Sequence, residues 1–239
     1  MAAVLHAAPS RAPLGFADGQ LEAIKWLALA SMFTDHIGRH LLGWPQDSWV
    51  FAVGRLAFPC FAFVLGVNLA RTGDREHRAG RTALRLLGWG AVSIAPSVWA
   101  RGDPQVLNVL VTLGLGAALC WAVEGTAHWL WRMLATLAIA AAAWFAEFGV
   151  GGVFLVPAVY LACAHRHAGF AVVALLLAVA TAALNAQFGG PPAFAATLAC
   201  LPLVALVRAL PVAMPRWQLF FYLLYPAHLA LIGALKSMQ

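Results

Sequence analysis

The chain has 239 residues, of which 63% are hydrophobic and 10% charged, and its mean hydropathy is +0.82. Soluble domains carry roughly 45–50% apolar and about 25% charged residues, so this composition excludes an ordinary soluble enzyme and points to a bilayer. The net charge of +6 calls for no nucleic-acid partner, because arginines beside membrane helices ordinarily set topology and bind lipid headgroups.

Apolar runs near the ~20 residues that cross a hydrocarbon core recur along the chain, and no alternating strand pattern does. They predict an all-α fold, a polytopic transmembrane helical bundle of about nine helices with the amino terminus cytoplasmic. Residues 1–19 lack the continuous apolar core of a cleavable signal and read as a short interfacial segment. The spans follow at roughly 20–42, 48–70, 80–99, 105–122, 127–146, 149–164, 168–185, 192–209 and 216–236. Turn-forming or charged stretches such as "GWPQDS", "RTGDREHRAGR", "RGDP" and "NAQFGGPP" separate them. These connections are too short for a soluble domain, so residues 1–239 read as a single integral membrane domain, without the internal repeat of a duplicated transporter. With the amino terminus inside, the inside segments collect Arg11, Arg71, Arg75, Arg78, Arg81, Arg132, Arg166 and Arg216, against Arg39, Arg101 and Lys236 outside.

Polar residues within these spans are the candidate functional groups, since an ionisable group at such depth needs a partner or a wet cavity. In the first span, Asp35 and His36 point about 100° apart on a helix and each needs its own partner. Asp35 and Arg39 are spaced to form a structural ion pair along the helix. Arg55, opening the second span, comes to the same outer side as Asp35 in an antiparallel hairpin and is the leading partner from another helix; snorkelling to the interface is its bland alternative. Asn108 and Thr112, four apart, serve either a site or a hydrogen bond between helices. In the last span Tyr222, Tyr225 and His228 surround Pro226, which breaks the backbone ladder. His228 should meet an acid, Asp35 or Glu147. The four cysteines show no CxxC spacing and read as apolar fillers. His36 and His40 share a helix face, but two ligands make no metal site, so no metal is expected.

Four segments in order, "IKWLALASMFTDHIG", "GRLAFPCFAFVLGVN", "NVLVTLGLG" and "FYLLYPAHLALI", resemble the TraX family of conjugal-transfer membrane proteins, TrbP-type members included. Residues from about 124 to 215 contribute only hydrophobicity to that match. The resemblance implies a multi-pass protein of the bacterial inner membrane that matures the pilin of a conjugative type IV secretion system, by acetylating the pilin amino terminus with acetyl-CoA. It implies as partners the pilin subunit, membrane lipids and other pilus-assembly proteins. It singles out Asp35, His36, Arg55, Asn108, Tyr225 and His228. Their chemistry is compatible with such a role: His36 or His228, oriented by Asp35, as the base for the amine, and Arg55 with Asn108 or Tyr225 as oxyanion stabilisers. Arg71, Arg75, Arg78, Arg81 and Arg85 would receive the phosphates of coenzyme A, although topology alone accounts for arginines in this position. Three other readings use the same residues: a head-to-tail pilin cyclase needing no coenzyme A, a small proton- or ion-coupled transporter, and a pilus-assembly scaffold.

Overall fold

The computed structural model describes residues 12–212 and 214–239; Arg11 and most of the predicted interfacial segment lie outside them. Helix α1 spans Asp18–His36. Its start is fixed by Gln20, whose side-chain oxygen accepts the Ala17 N–H at 2.9 Å while its amide donates to the carbonyls of Arg208 and Leu210, each at 2.9 Å. Beyond His36 the helix widens into a single π turn, Ile37–Leu41, a deformation that concentrates at functional sites.

Helices α2, Trp49–Gly54, and α3, Ala57–Leu69, form one rod interrupted at Arg55 and Leu56. Pro59 has no N–H to offer the Arg55 carbonyl four residues back, and the ladder loosens there. The same effect of Pro96 on Val92 separates α4, Arg75–Val92, from α5, Ile94–Arg101. Asp74 caps α4 by accepting the His77 N–H at 2.9 Å, and Asn108 caps α6, Val109–Glu124, through the Leu110 N–H at 3.1 Å. Then come α7, Trp129–Ala142, α8, Gly149–His165, α9, Ala168–Leu198, α10, Cys200–Ala209, and α11, Gln218–Lys236. Inside α9, Gly190 takes φ 64° and ψ −161°, a conformation essentially reserved for glycine. Pro191 and Pro192 follow, well suited to restart a helix, so this stretch is two rods.

Counted as rods, with α4 and α5 taken as one bent rod and the second half of α9 running on into α10, the described residues form nine helices and no strand, as the apolar runs predict. Among the described residues three stretches are long and apolar enough to cross a membrane: Trp49–Leu69, Ala168–Ala209 and Leu219–Lys236. The core lies among α1, α3, α6 and α8, where Ile24, Ala28, Phe58, Cys60, Ala117 and Val156 are almost wholly enclosed. Small residues let these helices close up: a Cβ on Gly66 of α3 would come within 2.7 Å of Val159 on α8, and one on Gly116 of α6 within 2.7 Å of Val156. The four cysteines are free and buried, as fillers would be. Helix α7 contributes no buried residue and sits outside this core.

Candidate functional site

The polar residues gather in an ion cluster and a histidine pair, and a cavity approaches the pair from the other side of Tyr225. The ion cluster surrounds Asp35, which is 1% exposed. Arg55 donates to one carboxylate oxygen at 2.5 Å and Arg39 to the other at 2.7 Å. The helical pairing with Arg39 and the hairpin pairing with Arg55 are therefore both made, on one carboxylate. Glycine at position 54 permits it, since a Cβ there would collide with the Cβ of Asp35. Both guanidiniums lie over the Phe51 ring, at 4.2 Å for Arg55 and 4.9 Å for Arg39, so a π face shares in compensating them. Ser31 ties the two helices together by donating to the Val53 carbonyl at 2.6 Å. With both oxygens engaged, Asp35 does not orient a histidine as expected.

The histidine partner lies elsewhere. Nδ1 of His36 and Nε2 of His228 are 2.7 Å apart, with ring planes 8° from parallel. The two residues are 6% and 8% exposed. Nδ1 of His228 is 3.0 Å from the Leu224 carbonyl one turn back in α11. Phe33 and Tyr225 enclose His228, with ring centroids at 4.5 and 5.5 Å, and the His40 ring is 5.6 Å from that of His36. Neither acid proposed for His228 reaches it: Glu147 instead faces Arg101 at 3.7 Å. Among the described residues no three His, Cys, Asp or Glu side chains are placed to hold one metal ion.

The cavity, of about 660 Å³, lies between α1, α3, α4, α6 and α11, within the ~300–1,000 Å³ of small-molecule sites. Its mouth is cationic, with Lys25, Arg71, Arg78, Arg81, Arg85 and Arg216; its floor is apolar, with Leu29, Met32, Leu65, Leu110 and Leu113. Tyr225 lines its inner end and meets His228 on the other side, so one aromatic ring separates the cavity from the histidine pair. Leu29 and Met32 of the floor sit two turns and one turn before His36 on α1.

The five arginines expected to bind phosphate divide by task. Arg75 opens α4 and is absent from the lining. Arg78 fastens the preceding loop, donating to the carbonyls of Leu69, Arg71 and Thr72 at 3.2, 2.5 and 2.7 Å. Arg71 bonds to Asp18 and to Asn68. Arg81 and Arg85, one turn apart on α4, line the cavity, and among the described residues no carboxylate pairs with either. Tyr222, named beside Pro226, lines it too, as do Lys25 and His77, which sequence reasoning missed; the only signal for Lys25 is a lone cation in an apolar run. Asn108 is 1% exposed and stands outside the lining. Its oxygen caps α6 and its amide donates to the Gly90 carbonyl at 2.8 Å, so both ends are held by structure. Thr112 is fully buried with no partner for its hydroxyl among the described residues.

A family model described as "TraX protein" matches residues 20–236. A curated protein named "Protein TraX" from Escherichia coli is 31% identical over 93% of this chain and 89% of its own length. A second "Protein TraX", from Escherichia coli strain K12, is likewise 31% identical, with the same coverage of both chains. No solved structure matches.

Proposed function

The chain belongs to the TraX family, and from that premise we propose that it is a membrane acyltransferase. It acetylates the amino terminus of a conjugative pilin in the bacterial inner membrane, with acetyl-CoA as donor substrate. The observation that carries this reading is the cavity: a cationic mouth, an apolar floor, and an inner end one ring away from two hydrogen-bonded histidines. That sequence of environments suits a donor with phosphates at one end and a thioester at the other. A cyclase has no use for a cationic cavity, which favours the transferase.

On this reading the phosphates lie against Arg81 and Arg85, where a guanidinium offers paired donors to an anion. The pantetheine arm runs over the leucine floor, and the thioester reaches Tyr225. The pilin amine attacks the thioester carbon, forming the C–N bond; the C–S bond breaks, and a histidine of the pair takes the amine's proton and returns it to the departing sulfur. The Tyr225 hydroxyl is the donor nearest the oxyanion. Asp35, Arg39 and Arg55 hold the carboxyl end of α1 and the α2–α3 rod in register, and Asn108 sets the start of α6. Arginine distribution supports a cytoplasmic cavity mouth, where acetyl-CoA is found, with the histidine pair deeper, toward the face where pilin amino termini emerge.

Purified protein in nanodiscs, given acetyl-CoA and a peptide of the cognate pilin amino terminus, is expected to release free thiol only when both are present. A peptide blocked at its amino group should release none. Cyclised pilin formed without acetyl-CoA would contradict the proposal.

A further inference from the structure

The hydrogen bonds around the histidine pair fix which nitrogen carries each proton. A carbonyl oxygen only accepts, so the 3.0 Å contact with Leu224 requires a proton on His228 Nδ1. In a neutral imidazole the other nitrogen is then bare, and His228 Nε2 must accept. Its partner at 2.7 Å, His36 Nδ1, must therefore donate. That leaves His36 Nε2 with a free lone pair, and among the described residues it has no hydrogen-bond partner. We infer that His36 Nε2 is the proton acceptor of the reaction and that His228 is a positioning residue, which holds His36 in this tautomer through the Leu224 carbonyl. The inference rests on the transferase reading for the reaction it serves, but not for the tautomers themselves.

Backbone, and not a carboxylate, thus takes the orienting role at the end of the relay. The nearest buried acid, Asp35, is committed to two arginines. When His36 Nε2 takes the amine proton, the imidazolium keeps its Nδ1–H bond to His228, so the new charge is not left unpartnered. The same proton then leaves from Nε2 to the thiolate, which restores the neutral ring. The packing agrees with this division: Phe33 and Tyr225 hold the His228 ring from two sides, as suits a group that must not move.

Two measurements test it. In wild-type protein labelled with ¹⁵N-histidine, the His36 signal should show a protonated Nδ1 and a bare Nε2; the opposite tautomer overturns the inference, whatever the enzyme's substrate. In the transfer assay, His228→Gln keeps a side-chain acceptor for His36 and should retain kcat within about tenfold of wild type. His228→Ala should lose about 10²-fold or more in kcat with KM unchanged, and His36→Gln should lose the full contribution of a general base, about 10²–10⁴-fold. If His228→Gln is as inactive as His36→Gln at equal folded yield, His228 is the group that touches substrate and the inference fails. Absence of transfer by wild-type protein would instead reject the transferase reading and leave the tautomer measurement to decide the rest.

Discussion

Asp35→Ala is expected to remove most of the folded protein from the membrane. The variant leaves Arg55, 8% exposed, and Arg39 without their carboxylate. Breaking a buried ion pair from one side destabilises by about 3–5 kcal/mol, because an uncompensated charge stays inside. Total stabilities are only about 5–15 kcal/mol, so the thermal midpoint in detergent should fall steeply. Replacing buried ionic partners together by apolar groups is often neutral, so Asp35→Leu combined with Arg55→Met should recover much of the midpoint, with Arg39 free to turn outward. An unchanged midpoint in Asp35→Ala would mean that the cluster does not hold α1 against the α2–α3 rod.

Neutralising two cations of the cavity mouth is expected to weaken use of the donor without touching the fold. Hydrogen bonds to charged groups contribute about 1.5–3 kcal/mol each, so losing two of them in the Arg81→Gln, Arg85→Gln double variant should lower kcat/KM for acetyl-CoA by about 10²-fold or more. A small acetyl thioester without phosphates should be used equally well by variant and wild type. That contrast separates ligand binding from the topological role of arginines, as both assays run on protein already inserted and purified. Equal losses with both donors would reject phosphate recognition at Arg81 and Arg85.

Much of the architecture is legible in residue order, because it follows from hydropathy and from proline and glycine. The break in "FGGPP" falls at Gly190, whose backbone conformation only glycine takes readily, and nine apolar runs become nine rods. Boundaries shift where hydropathy reports the edge of the membrane instead of the end of a helix. Helix α4 begins at Arg75, five residues before its predicted start, because Asp74 caps a turn of charged residues. Pairings within one helix or one hairpin are likewise readable, which is why Arg39 and Arg55 could both be named for Asp35. The partnership of His36 with His228 was not readable: it joins residues 192 positions apart, and no local period encodes which ends of which helices meet. The cavity was hidden for the same reason. The arginine cluster was visible, but its division into a loop fastener at Arg78 and two cavity cations at Arg81 and Arg85 depends on where backbone carbonyls and neighbouring helices lie.

The most direct test of the central claim is the intact mass of the cognate pilin from cells that coexpress it with this protein or with its His36→Ala variant, at equal membrane levels. The account predicts an acetyl increment on the pilin amino terminus with the wild-type chain and none with the variant. Loss of one water from the processed pilin, or an unchanged mass in both, would contradict it.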